Sequence, residues 1–245
     1  MSEFTIETKG LTKQFGGLVA LNNVNFRLPS QGITGLIGDN GAGKSTLILT
    51  ITGNIPPTKG EIYFCGEKVE LKSPGNAIRM GIRTVHQVLQ VVEKRTVYEN
   101  VFMGREKCRK DLSFLKIVDT KAEIEETERI AKAYNFDVDD VKKRMDQLSG
   151  GQRQAFVVLK EALWNPKVLI LDEPTTALSV DKSAKIFEIV KGLNVPTLVV
   201  SHNLLQILEF CDRVAILRKG ELIGMYDTED TDLETISKLM MGAKV

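Results

Sequence analysis

Hydrophobic and polar positions change their rhythm along the chain. Val24-Asn25-Phe26-Arg27-Leu28 alternates apolar and polar, the period of a half-buried strand. Residues 32–38 follow as a buried strand that ends in glycine, and residues 45–51 fit a short helix. The first 35 residues are therefore expected to form short strands and turns. Pro56-Pro57-Thr58-Lys59-Gly60 marks a turn, and residues 61–64 and 67–69 flank Gly66 as a hairpin.

From about residue 97 to 147 the β-branched clusters thin out and charge rises. Ile124, Ile130, Ala131 and Tyr134 share one side of a helix over residues 121–136, and Asp137 is placed to cap a further short helix. Later, Ala155, Val158, Leu159, Ala162 and Leu163 recur at helical spacing and predict a helix over residues 153–164. Residues 168–171 and 197–200 are continuous apolar runs of strand length, the form that suits a parallel sheet buried on both faces. Residues 214–217 and 221–223 flank Arg218-Lys219-Gly220 as a last hairpin. Strands alternating with helices predict an α/β fold with a doubly wound sheet, interrupted by a helical insert.

Composition narrows the function classes. The chain has 245 residues, 42% of them hydrophobic, and a net charge of +1. That suits one large domain or two small ones with a full core. The balanced charge lacks the basic excess of a nucleic-acid binder, so no nucleic-acid partner is expected. No run approaches the roughly 20 apolar residues that span a bilayer. Met1-Ser2-Glu3-Phe4 has neither the basic nor the apolar part of a signal peptide. Cys65, Cys108 and Cys211 are far apart, as are His86 and His202, so free thiols in a reducing compartment are expected and no zinc module.

The chemistry is concentrated in three segments. Gly38-Asp39-Asn40-Gly41-Ala42-Gly43-Lys44-Ser45-Thr46 matches the phosphate-binding pattern G-x-x-x-x-G-K-[ST]. Its glycines let the backbone curl until several N–H groups converge on phosphate oxygens, and the helix that follows adds its positive end. Lys44 supplies a full charge, and the Ser45 hydroxyl suits Mg²⁺. Residues 168–171 deliver Asp172 and Glu173 to the carboxyl end of a strand, where ligands sit in open α/β sheets. Asp172 is expected in the Mg²⁺ shell and Glu173 as the group that polarises an attacking water. Leu148-Ser149-Gly150-Gly151-Gln152 opens a helix with Ser149 as its cap and two glycines that leave amide donors bare.

Residues 38–46, Gln87, residues 148–152, residues 171–174 and His202 follow the order and spacing of ABC-type ATPases. Over nearly its whole length the chain resembles the nucleotide-binding subunit of an ABC transporter. The resemblance implies a P-loop, RecA-like α/β core with a mostly parallel sheet, an N-terminal antiparallel β-subdomain and a helical insert. It implies one domain over 1–245, in which 1–89 and 148–225 form core and β-subdomain, 90–147 the helical subdomain and 226–245 a C-terminal tail. It also implies site roles. Phe15 stacks on adenine; Asp39, Asn40, Gly41, Ala42, Gly43, Lys44, Ser45 and Thr46 bind ATP. Ser45, Gln87 and Asp172 hold Mg²⁺, while Glu173, His202 and Gln87 serve hydrolysis. Ser149, Gly150, Gly151 and Gln152 face the ATP of an opposite subunit, and Ala177-Leu178-Ser179 with Asp181 forms the loop between subunits.

The partners so implied are a second copy or a paralogue in an ATP-dependent dimer, transmembrane permease subunits and an external solute-binding protein. The location so implied is the cytoplasmic face of the cell membrane, with the helical insert as the docking part. Residues 38–47, 73–87 and 96–106 further resemble importers of monosaccharides such as xylose, arabinose, ribose, galactose or fructose. Branched-chain amino-acid importers and soluble ABC ATPases without a transport role are the alternatives. Val88 stands where that sugar group commonly has an acidic residue after the glutamine.

Overall fold

The structure, a computed structural model, describes residues 2–88, 90–109, 117–134, 136, 140–176 and 178–243. In chain order its strands are β1 (Phe4–Phe15), β2 (Leu18–Val24), β3 (Arg27–Pro29), β4 (Ile33–Ile37), β5 (Lys59–Phe64), β6 (Glu67–Val69), β7 (Ile82–Val85), β8 (Val168–Asp172), β9 (Thr197–Val200), β10 (Arg213–Arg218) and β11 (Glu221–Asp227). Its helices are α1 (Lys44–Ile51), α2 (Pro74–Met80), α3 (Val97–Phe102), α4 (Thr120–Ala133), α5 (Gly150–Ala162), α6 (Val180–Leu193), α7 (Leu204–Phe210) and α8 (Leu233–Met241). One sheet is antiparallel, ordered β2-β1-β5-β6 with β3 also paired to β1. The other is ordered β11-β10-β4-β9-β8-β7 and is parallel apart from the terminal β10–β11 hairpin.

The apolar runs explain the layering. Val168 and Ile170 of β8 enter a core shared with α1 and the antiparallel sheet, while Leu169 and Leu171 enter a second core with α5 and α6. Leu198 and Val200 divide from Val199 in the same way, as do Ala215 and Leu217 from Val214 and Ile216. Each central strand is thus buried on two faces, which requires unbroken rather than alternating apolar sequence.

Four local expectations need correction. β1 is a single strand of 12 residues, not a set of short pieces. Register shifts near Leu11 and Lys13, and Gly10 at φ 61°, break its alternation. Residues 24–28 keep their period, with Val24, Phe26 and Leu28 fully buried, yet they divide into β2 and β3. The Thr8 hydroxyl enters the ladder there, donating to Val24 O at 2.9 Å and accepting from Phe26 N at 2.9 Å. α5 starts at Gly150, immediately after its cap, and not at 153; α4 ends at Ala133, short of 136. Asp137 lies outside the described residues. Within the expected C-terminal tail, β11 runs to Asp227 and α8 buries Ile236 and Leu239 against the core.

The described residues between β7 and α5 include α3, α4 and a 3-10 turn at Met145–Gln147. Thr96 and Glu99 begin α3 with reciprocal side-chain to backbone bonds. All three cysteines are free, and burial pushes the Cys211 thiol up to about 12. Among the described residues no helix is long and apolar enough to cross a membrane.

Candidate nucleotide-binding site

The loop between β4 and α1 is held by close backbone approaches. A side chain at Gly38 would meet Leu217 O at 2.2 Å, and one at Gly43 would meet Ala20 O at 2.6 Å. Gly43, at φ 106°, is the N-cap of α1, and no side chain caps that end. Its first-turn amide donors are therefore left to whatever enters the loop. Lys44 Nζ donates to Gly38 O at 2.6 Å and to Asp39 O at 3.1 Å. Burial lowers the Lys44 pKa from its usual value, with the charges of Glu173, Asp39 and Asp172 opposing that shift.

The facing wall comes from β8 and β9, whose parallel register sets Asp172 beside Val200. Burial, with the charge of Glu173 beside it, raises the Asp172 carboxyl above its usual value. Glu173 has φ 52°, a left-handed conformation that is strained for this residue type. Its N–H donates to Val200 O at 2.9 Å, which fixes the strained turn. The Glu173 carboxylate accepts from Thr176 Oγ1 at 2.8 Å and pairs with His202 Nδ1 at 2.9 Å from each oxygen. A carboxylate offers only acceptors, so Nδ1 carries the proton and Nε2 is left as the ring's other polar atom.

These walls enclose a cleft of about 940 Å³. It brings together Phe15, Asp39, Asn40, Gly41, Ala42, Gly43, Lys44, Ser45, Thr46, Gln87, Asp172, Glu173 and His202, all singled out in the sequence. It also contains residues the sequence did not point to: Leu18, Val19 and Ala20 from β2, Lys219 and Gly220 from the β10–β11 turn, and Met240 from α8. The amphipathic spacing of Leu233, Ile236, Leu239 and Met240 was the available signal for α8. Nothing local marks Lys219.

Ser149, Gly151 and Gln152 line a different, smaller pocket with Phe136, Lys182 and Lys185. Ser149 accepts from Gln152 N at 3.3 Å while Gln152 Oε1 accepts from Ser149 N at 2.9 Å, a closed capping box. Ser179 is the N-cap of α6 and Asp181 lies in its first turn; Ala177 is outside the described residues. Ser45, Gln87 and Asp172 supply hard oxygen donors to one cleft, and such a set fits Mg²⁺, which keeps most of its shell as phosphate and water. Among the described residues no group of three or more His, Cys, Asp and Glu forms a metal cluster.

A glycine-rich loop between a buried parallel strand and a helix, faced across one cleft by strand-end carboxylates, defines a P-loop nucleotide-binding cassette. Residues 21–176 match the model of the ABC transporter family, and the chain belongs to that family. It is 34% identical to the xylose/arabinose import ATP-binding protein XylG of Sulfolobus acidocaldarius, across 96% of this chain and 93% of that one. It is 33% identical to the fructose import ATP-binding protein FrcA of Rhizobium meliloti, across 98% and 94%. Against the galactose/methyl galactoside import ATP-binding protein MglA of Clostridium perfringens it is 33% identical and spans 46% of that relative. Among solved structures, the ADP conformation of an ATP-binding cassette from an ABC transporter superposes with a TM-score of 0.81 at 26% identity, covering 98% of this chain and 95% of that one.

Proposed function

We propose that this chain binds ATP in the cleft and hydrolyses it to drive import of a monosaccharide. The observation that carries the hydrolytic part is the Glu173–His202 pair, held at 2.9 Å in the same cleft as Lys44 and the phosphate loop. Lys44 and the open end of α1 hold the phosphates. Glu173, locked by its own turn and by Thr176, accepts the proton of the attacking water. His202 orients that carboxylate through Nδ1 and keeps Nε2 for the terminal phosphate. Bound among Ser45, Gln87 and Asp172, Mg²⁺ would supply charge neutralisation to the phosphate oxygens. Phe15 offers an exposed ring to the base at the opposite end.

The transport part is supported by import ATP-binding proteins among the relatives that match nearly end to end. In this reading the Ser149–Gln152 corner, remote from its own cleft, meets the ATP of a second cassette in a head-to-tail dimer. Residues 90–147 dock the dimer on a permease at the cytoplasmic face of the membrane, and an external solute-binding protein selects the sugar.

Glu173→Gln tests the first part. Nucleotide titration is expected to give near-normal ATP affinity, while phosphate release falls by about 10²–10⁴. Sustained release in that variant would place the base elsewhere. Capture of the same tagged variant from detergent-solubilised membranes, with and without ATP, tests the second. A polytopic permease with a sugar-binding protein supports import; ribosomal or DNA-repair partners alone would overturn it.

A further inference from the structure

Resting on the reading of the cleft as an ATP site, we infer that Lys219 is an additional nucleotide-binding residue whose ammonium pairs with the α-phosphate. Lys219 and Gly220 form the two-residue turn between β10 and β11, at φ 48° and φ 81°. Two positive φ values define a hairpin turn whose first position favours asparagine or glycine. A lysine is strained there, without the short polar side chain whose local hydrogen bonding lets asparagine adopt that conformation. The fold gains nothing from it: no carboxylate pairs with Lys219 among the described residues, and the residue is exposed. It does line the nucleotide cleft.

The turn is fastened to the phosphate loop. Gly220 N donates to Ala42 O at 2.9 Å, and Asn22 N donates to Gly220 O at 2.8 Å. Asn22 Nδ2 donates to Glu221 Oε1 at 2.7 Å, just beyond the turn. A side chain at Gly220 would meet Ala20 O at 2.8 Å, so β2 and the turn touch. On the far side, the Arg218 guanidinium occupies the space a side chain at Gly242 would need, so the C-terminal end of α8 seats on the same turn and brings Met240 to the cleft. Lys219 is thus presented on a rigid support.

Sheet order tells which phosphate it meets. β10 flanks β4 on one side, while β9, β8 and β7 lie on the other. Glu173, His202 and Gln87 follow β8, β9 and β7, so the hydrolytic end of the cleft lies on that second side. The Lys219 turn adjoins Ala20 and the β1–β2 hairpin that carries Phe15, the nucleoside end. A triphosphate laid between these ends presents its α-phosphate to Lys219.

Calorimetric titration of ATP and of ADP into the wild type, Lys219→Asn and Lys219→Arg tests the assignment. Asparagine suits the turn, so the variant should fold with an unchanged or higher Tm. Its affinity for ATP and for ADP should fall alike, by about tenfold, the low end for a charge-assisted contact because the lysine is exposed. Arginine, which keeps the charge, should stay within about threefold of wild type. Wild-type affinity in Lys219→Asn overturns the proposal, and so does a loss confined to ATP, which would place the charge at the terminal phosphate. A wild-type chain that binds neither nucleotide overturns the ATP reading of the cleft and this assignment with it.

Discussion

α1 and α5 both begin at glycines, and the two beginnings are built in opposite ways. At α1 the glycines are forced. Gly43 sits at φ 106° with Ala20 O in the space of a side chain, and no side chain caps the helix. At α5 they are not forced. Neither Gly150 nor Gly151 takes a positive φ, and a side chain at Gly150 would meet nothing within 4 Å. A side chain at Gly151 would press only on the flexible stem of Lys182, at 2.9 Å. α5 is also capped from within by Ser149 and Gln152. The first helix start is incomplete without an anion. The second is complete as a fold element, and its glycines are not required by the chain's own packing.

Lys44→Ala should break the comparison at its strongest point. Lys44 is the cation in the phosphate loop, and its charge is opposed by burial and supported by three carboxylates. Losing a charge-assisted phosphate contact costs about 3 kcal/mol, so ATP affinity is expected to fall about a hundredfold. Equilibrium titration checks it; an unchanged Kd would mean the triphosphate lies elsewhere.

Gly43→Ala acts on the fold before it acts on the ligand. The left-handed backbone costs an ordinary residue about 1–2 kcal/mol, and the overlap with Ala20 O adds to it. A loss of about 2–3 kcal/mol in a urea titration is expected, together with weak nucleotide binding. Wild-type stability would show that the loop relaxes without its αL cap and would remove the contrast with α5.

What the sequence disclosed follows the same line. Residues 38–46, Asp172, Glu173 and His202 are legible because each sits beside the strand or helix that aims it, within a few residues of chain. Lys219, Gly220, Met240 and the residues 18–20 are not. They reach the cleft because β10 pairs with β4 and because the turn touches β2, pairings between segments far apart in the chain. β1 does not show as one strand in the sequence because its bulges spoil a strict period of two, although Ile6 and Leu11 are buried as one strand requires. α8 carries four apolar residues at helical spacing, but its nine residues stand apart from any motif.

Gly150→Ala should have the smallest effect on the fold and the opposite sign. The position is open and helical, so alanine removes the conformational freedom that glycine keeps in the unfolded chain. A gain of about 0.5–1 kcal/mol is expected, read as a higher Tm in a thermal scan. Phosphate release should fall at the same time, while ATP affinity measured at low protein concentration should hold, because the methyl lies outside the chain's own cleft. The ratio of these effects sharpens the comparison. Higher Tm with full phosphate release would leave Gly150 as an ordinary first-turn residue and deprive the α5 corner of any role in turnover. Higher Tm with lost release would mean that the glycine is kept, against stability, for a close approach made by another molecule.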